Sequence, residues 1–286
     1  MQKNKVMNIN QIISKAYKIL KNAEIPNPRM ESSLIISDTL KISTSSILSN
    51  NENLKDKHVE KILSRVNRRA LREPYAYIIG KKSFYNLSIM VNKNVLIPRP
   101  ETEHLIDTVL ENTKELSKKL NIIDIGTGSG AILCSLLHQL PNSYGIGTDI
   151  SKKALTVAKK NIKKLNLNQR SHLINTSWGI SIKESYFDIL TCNPPYIEEK
   201  YFKNLQNEIK NEPSIALKGG MKGLEPLKEL LPSARKCLKL KGKAFFEIGY
   251  NQCNNAKNLI SNNNFKIISI IKDLSGIERV IFATAV

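Results

Sequence analysis

The sequence predicts an α/β protein in which a small helical bundle precedes a doubly wound sheet of mixed sense. Three observations carry that reading. Residues 9–71 place apolar side chains at helical spacing, whereas from Leu120 onward short apolar runs alternate with helical stretches, the pattern of a sheet covered on both faces. The first of those runs ends in the glycine-rich turn Gly126-Thr127-Gly128-Ser129-Gly130, and the second ends at Asp149. The last two runs, 265–271 and 279–285, are separated only by a short turn at Gly276, and strands joined that closely are antiparallel.

Ile12, Ile13, Ala16, Tyr17 and Leu20 form the stripe of a first helix, which Ile25-Pro26-Asn27-Pro28 breaks. A second helix follows through Met30, Leu34, Ile35 and Leu40. Ser43-Thr44-Ser45-Ser46 reads as a cap-rich link, and Val59, Ile62, Leu63 and Val66 mark a third helix. That helix ends in Arg65, Arg68, Arg69 and Arg72, either a solvated face or a docking patch for an acidic partner. Ser83-Phe84-Tyr85 and residues 87–91 flank Asn86 as a hairpin. Pro98-Arg99-Pro100-Glu101-Thr102-Glu103 then opens a helix through Leu105, Ile106, Val109 and Leu110, with proline and acids where a helix N-terminus favours them. The expected domains are 1–72 (helical), 73–100 (hairpin linker) and 101–286 (sheet domain).

Within the sheet domain, strand 121–125 leads through the glycine turn into helix 131–140, which Pro141-Asn142 stops. Strand 144–148 delivers Asp149, 19 positions after Gly130, the spacing of an acid that accepts hydrogen bonds from a ribose at the tip of the second strand. Helix 152–165 and strand 171–175 follow, then Trp178, the only tryptophan, either core or a flat surface over an adenine. Strand 186–192 runs into Asn193-Pro194-Pro195-Tyr196. A loop-rich insertion holds Gly219, Gly220 and Gly223. Helix 226–238, strand 243–248 and helix 251–262 precede the antiparallel pair.

Two consecutive prolines end strand 186–192, so Asn193 and Tyr196 sit at a rigid exit on the edge of the sheet where ligands bind. An amide carbonyl beside a proline carbonyl accepts both hydrogens of a planar NH2 group, and an aromatic face can lie against it. An ordinary turn fits these four residues as well. Gly126, Gly128 and Ala131 also suit a dinucleotide, but a dehydrogenase needs a proton-shuttling group after a later strand, and neither Asn nor Tyr serves well. Transfer of a group to NH2 from an activated donor matches better.

The formal net charge of +19 admits an acidic partner, although the Lys-, Asn- and Ile-rich composition also accounts for a solvated basic surface. Cys134, Cys192, Cys237 and Cys253 lack paired spacing and the four histidines lack a ligand pattern, so neither a disulfide framework nor a metal is expected. No apolar run reaches membrane-spanning length, and a cytoplasmic location is expected.

The segments 96–103, Asp124 to Gly130, Asp149, Asn193 to Ile197, Glu212-Pro213, Gly223-Leu224 and Asp273 to Gly276 with Arg279 resemble those of the peptide-chain release factor glutamine methyltransferases, over residues 16–286. The resemblance implies a class I S-adenosylmethionine-dependent methyltransferase fold, Rossmann-like, with a mixed seven-stranded sheet whose last strand is antiparallel. It implies methyl transfer from S-adenosyl-L-methionine to the side-chain amide of the glutamine in the Gly-Gly-Gln loop of class I release factors. By the same resemblance Asp124, Gly126, Thr127, Gly128, Ser129, Gly130, Asp149, Trp178 and Asn193 bind the cofactor. Asn193, Pro194, Pro195 and Tyr196 hold the substrate, with Asn193, Pro194 and Tyr196 catalytic. The 1–72 domain is then a substrate-docking domain, nucleic acid is not required, and a monomer is expected. Adenine-N6 DNA or RNA methyltransferases share Asn-Pro-Pro-Tyr and form the alternative. Ser177 and Lys222 depart from the pattern, since acids are usual at both positions.

Overall fold

The computed structural model describes residues 7–49, 51–113, 119–178 and 182–286. The chain divides into two compact units, one of residues 1–80 with 206–211 and one of residues 81–205 with 212–286.

The first unit is helical. Helix α1 (Ile9–Asn22) begins with a capping box, in which Asn8 Oδ1 accepts from the Gln11 backbone N–H at 2.9 Å and Gln11 Oε1 accepts from that of Asn8 at 3.1 Å. Helix α2 (Pro28–Leu40) starts on proline, α3 (Thr44–Ser49) follows, and α4 (Asp56–Ala70) and α5 (Tyr75–Ile79) complete the series. Ile12, Ala16, Leu20, Ile35, Ile36, Ile47, Ile62 and Val66 meet in one buried core. The serine cluster expected to be a link starts a helix instead, because Ser43 Oγ accepts from the Ser46 backbone N–H at 3.0 Å and so caps α3. The unit also extends beyond the expected boundary at residue 72: Tyr75 packs on the same core and its hydroxyl donates to the Leu34 carbonyl at 3.3 Å.

The arginine run is not a free docking patch. Arg65 pairs with Asp38 at 2.9 Å, Arg68 with Glu73 at 2.5 Å and Arg72 with Glu208 at 3.5 Å. Arg69 is buried, with Glu31 at 2.5 Å on one side and Glu208 at 2.9 Å on the other. These pairs tie segment 206–211 to α2 and α4 inside the unit.

The second unit opens with an antiparallel hairpin, β1 (Lys81–Phe84) and β2 (Leu87–Met90), whose turn residues Tyr85 and Asn86 both take positive φ. A 3₁₀ turn (Pro100–Thr102) leads into α6 (Glu103–Glu111). Then follow β3 (Asn121–Ile125), α7 (Ala131–Gln139), β4 (Tyr144–Asp149), α8 (Lys152–Lys164), β5 (Ser171–Asn175) and β6 (Phe187–Cys192). The one-turn helix α9 (Asn207–Lys210) lies in the segment assigned to the first unit. The chain closes with α10 (Glu225–Cys237), β7 (Leu238–Glu247), α11 (Cys253–Ser261), β8 (Phe265–Lys272) and β9 (Glu278–Ala285).

The seven-stranded sheet has the order β5-β4-β3-β6-β7-β9-β8. Its first five strands are parallel, and β9 runs antiparallel to both β7 and β8, as the sequence predicted for the closing pair. Strand β7 begins earlier than expected because Leu238 pairs with Phe187 before a register shift brings Lys243 opposite Ile189. Leu190, Phe246, Leu230, Ala256 and Ile281 belong to the buried core between this sheet and its helices. All four cysteines are buried there or nearby, as small apolar residues, and burial raises the thiol pKa at each. After β3 the chain crosses to β4 on one side and later returns to β6 on the other, so a crevice opens at the carboxyl ends of these three strands. Among the described residues no helix is long and apolar enough to cross a membrane.

Candidate functional site

The crevice holds a cavity of about 300 Å³, at the small end of the roughly 300–1,000 Å³ typical of small-molecule sites. Gly126, Gly128, Asp149, Trp178, Asn193 and Pro195 line it, as do Leu96, Ile150, Ser177, Ile215 and Glu229. Of the residues expected at a cofactor and substrate site, these first six are brought together around one space. Asp124, Thr127, Ser129, Gly130, Pro194 and Tyr196 are not on the cavity wall.

The glycine turn is shaped to admit a ligand. Gly126 and Gly128 take φ of +74° and +55°, and a Cβ on Gly126 would meet no atom within 4 Å, so the space above the turn is open. The turn is held from beneath, where Thr127 N–H donates to the Thr148 carbonyl at 2.8 Å and Asn161 Nδ2 donates to the Ser129 carbonyl at 2.9 Å. Asn161 also exchanges hydrogen bonds with the Met90 backbone at 2.7 and 3.0 Å, so α8 locks the turn and the hairpin together.

Asp149 ends β4 with Oδ2 accepting from the Gly128 N–H at 2.9 Å and Oδ1 from the Ser151 N–H at 2.8 Å. Burial raises its pKa, while these two bonds favour the carboxylate. Each oxygen keeps a second lone pair, so an oriented carboxylate faces the cavity with acceptor capacity for a pair of hydroxyls. Asp124 instead lies under the floor, 1% exposed. Its register partner on β6 is Thr191, whose hydroxyl donates to Asp124 Oδ1 at 2.8 Å, while Asp124 Oδ2 and Thr127 Oγ1 find no partner among the described residues. Burial pushes the Asp124 carboxyl up to about 6.

Trp178 has φ of +47°, rare for a bulky residue, and its indole Nε1 donates to Glu229 Oε2 at 2.9 Å. The residue at 177 is serine, and the acid at this end of the cavity comes from α10.

At the other end, Asn193 leaves β6 and its Nδ2 donates to Thr102 Oγ1 at 3.2 Å. The Tyr196 carbonyl accepts from Gln252 Nε2 at 3.0 Å, and the same nitrogen donates to the Gly223 carbonyl at 3.1 Å. Gln252 therefore clamps the double-proline exit to the glycine insertion. Gly219 makes the contact closer still: a Cβ there would stand 2.6 Å from the Tyr196 carbonyl carbon and 2.8 Å from Gly223 Cα. Burial holds the Tyr196 phenol well above its ordinary pKa, so it stays neutral. Glu212, itself buried, accepts from the Ile97 N–H at 2.9 Å and from Arg99 at 2.5 Å, which fixes Pro213 and Ile215 at the cavity beside Leu96. The turn at Lys222 is closed by Glu225, which accepts from the backbone N–H of Lys222 and of Leu224, both at 3.1 Å. The backbone bonds hold Glu225 in its ionised form, and the Lys222 charge adds to that.

The arrangement sets a cavity of small-molecule size beside the strand exit at Asn193, and the comparisons with known proteins bear on which reaction it serves. Residues 11–80 match the PrmC N-terminal domain model, and residues 101–269 match the methyltransferase small domain. A release factor glutamine methyltransferase of Caulobacter vibrioides is 36% identical over 264 residues, covering 92% of this chain and 91% of that protein. One from Thermodesulfovibrio yellowstonii is 38% identical over 252 residues, covering 87% and 90%. The chain belongs to the release factor glutamine methyltransferases. A bifunctional methyltransferase of Rickettsia prowazekii is 37% identical over 96% of this chain, which spans 56% of that longer protein. Among solved structures, the catalytic domain of hMettl16 with an RNA hairpin aligns at a TM-score of 0.56 and 18% identity, covering 81% of each chain. A methyltransferase of Pyrococcus furiosus aligns at 0.54 and 21%, covering 77% of this chain and 99% of that one. These two show the fold alone.

Within this family member, Thr102, Asn161, Glu212, Glu229, Glu247 and Gln252 surround the site without having been singled out for it. Most stand among polar neighbours that give no local signal, as Thr102 does between Glu101 and Glu103. Glu247 gave the clearest signal, an acid at the end of the buried strand that precedes Ile248-Gly249.

Proposed function

We propose that this protein transfers a methyl group from S-adenosylmethionine to the side-chain amide nitrogen of the glutamine in the Gly-Gly-Gln loop of class I release factors. The observation that supports it most is Asn193 at the wall of the same cavity as Asp149 and the open glycine turn, in a chain of this family.

The residues present fit the cofactor. Gly126 and Gly128 leave room for its close approach, Asp149 offers oriented acceptors to the ribose hydroxyls, and Trp178 gives a flat wall for the adenine. Glu229 adds an acceptor near that wall where Ser177 does not. Asp124, beneath the floor, supports the turn rather than touching the ligand. S-adenosylmethionine supplies a methyl group already activated on a sulfonium.

An amide nitrogen is a weak nucleophile because its lone pair is shared with the carbonyl, so the protein's task is alignment and electrostatics. Asn193 Oδ1 and the Pro194 carbonyl accept the two N–H groups of the substrate amide, and Pro195 and Tyr196 keep it in one plane. Holding the nitrogen about 3 to 3.5 Å from the methyl supplies several kcal/mol of the barrier. Acceptors aimed at the nitrogen stabilise the positive charge that grows on it in the transition state. The neutral phenol of Tyr196 cannot take the proton at neutral pH, and its contribution is confinement.

Asn193→Ala should therefore remove rate far more than cofactor affinity. Labelled methyl donor offered side by side to a release factor, to other glutamine-bearing proteins and to DNA tests the substrate. Incorporation into DNA adenine in place of the release factor would move the protein to the adenine-N6 class. The protein acts as a monomer in the cytoplasm under this reading, without need of nucleic acid.

A further inference from the structure

Asn193 can serve as an acceptor only if its amide presents oxygen to the cavity, and the two ends of an amide differ in little but their hydrogen bonds. The side that faces away from the cavity holds the answer. Asn193 Nδ2 donates to Thr102 Oγ1 at 3.2 Å, and both side chains lie near enough to the carboxyl of Glu247 to favour its ionised form. Glu247 is 1% exposed at the end of β7, the strand next to β6, and its Oε2 has no partner among the described residues.

We propose that Glu247 is a positioning residue that, directly and through Thr102, fixes the Asn193 amide with Oδ1 toward the substrate. The proposal rests on the reading of Asn193 as the acceptor for the substrate amide. An ionised carboxylate can only accept. It therefore draws the Thr102 hydroxyl proton toward itself, which leaves Thr102 Oγ1 to accept from Asn193, and it accepts the second Nδ2 hydrogen. With both hydrogens of Nδ2 committed to the buried side, Oδ1 is the atom left for the cavity. The opposite amide orientation would set Oδ1 against a carboxylate, two acceptors facing each other in a dry site. A buried acid is costly to keep and contributes nothing to packing that an apolar residue would not, which points to a use in orientation.

The charged and titratable groups around Glu247 come from each neighbouring element. Arg279 on β9 favours the carboxylate and Glu101 in the 3₁₀ turn opposes it, while Tyr196 and Cys192 lie within its field at the end of β6. Burial, the largest influence, pushes the Glu247 carboxyl up to about 7. Orientation of Asn193 should accordingly strengthen as pH rises through that value.

The test compares the full-length wild type with Glu247→Gln, Thr102→Val and Thr102→Ser. Glutamine keeps the shape but brings a donor that can face Asn193 Nδ2 and turn the amide. For Glu247→Gln and Thr102→Val, kcat at saturating cofactor and release factor should fall roughly tenfold or more, as when one preorganised polar group is lost. The Kd for S-adenosylmethionine by calorimetry should stay within about twofold. Thr102→Ser, which keeps the hydroxyl, should retain wild-type kcat. The rise of wild-type kcat through about pH 7 should be absent in Glu247→Gln. In ligand-free protein labelled with 15N-asparagine, the Asn193 side-chain NH2 signals should shift in Glu247→Gln. Wild-type kcat in Glu247→Gln, or a loss of cofactor affinity as large as the loss of kcat, would overturn the proposal. Asn193→Ala, run in parallel, separates the two ideas. If it is inactive while Glu247→Gln is fully active, only the positioning role fails; if it is itself fully active, the acceptor reading falls first.

Discussion

Replacing Asp149 with asparagine isolates the ribose end of the site with almost no change of shape. In the wild type both carboxylate oxygens already accept a backbone N–H, at 2.9 Å from Gly128 and 2.8 Å from Ser151. Asparagine has one oxygen, so its NH2 must meet one of those N–H groups, donor against donor. The same NH2 can no longer accept a ribose hydroxyl. A hydrogen bond to a charged group contributes about 1.5–3 kcal/mol, and its loss corresponds to roughly a ten- to hundredfold rise in Kd. Calorimetry with S-adenosylmethionine reads this directly, with a thermal melt of the variant as the check on folding. At saturating cofactor, kcat should lie near wild type, because Asp149 ends β4 while Asn193 follows β6, on the far side of β3. A Kd within about threefold of wild type, or a fall in kcat that excess cofactor does not repair, would refute the ribose role.

Other perturbations test the supports of the site and of the fold. Gly219→Ala puts a methyl 2.6 Å from the backbone of Tyr196, where no side chain can yield, so activity should fall sharply while cofactor Kd changes little. An unaffected turnover would show that the insertion does not set the exit. Arg69→Ala leaves Glu31 and Glu208 facing each other in the helical unit without their shared partner, and urea unfolding should show a loss of about 3 kcal/mol, the lower end for a broken buried pair. A change under about 1 kcal/mol would mean the pair is merely a surface contact. Glu247→Gln should stabilise the fold as pH rises. The unfolded acid, near its ordinary value of 4.5, releases its proton well before the folded one at about 7, so wild-type stability falls across that window and levels off above it. The variant escapes this penalty, which is on the order of 3 kcal/mol. A melting-temperature difference that does not grow between pH 4.5 and 7 would remove the buried charge from the picture.

Much of the fold was legible because each strand of the sheet is a short apolar run closed by a turn signal. The run Asn121–Ile125 and the glycines after it give β3 and the ligand turn, and the two closing runs give the antiparallel β9. Asn193 and Asp149 were legible as residues of the crevice because each ends such a run, and both line the cavity. Polar residues whose partners are distant in sequence were not. Thr102 meets Asn193 across 91 positions and Arg99 meets Glu212 across 113, so no local pattern reports them. Serines at 43 and 46 were misleading in another way: the chemistry of a link and of a helix cap is the same until the next turn packs. The arginines of α4 read as a surface because their acidic partners lie on other elements, Glu208 far along the chain.

The most direct measurement is the site of methylation. Release factor incubated with this protein and labelled S-adenosylmethionine, then digested and sequenced by mass spectrometry, should carry a single methyl on the side chain of the Gly-Gly-Gln glutamine, and the Asn193→Ala protein should leave that residue unmodified. Methyl found elsewhere on the release factor, or on DNA adenine instead, would contradict the proposed function.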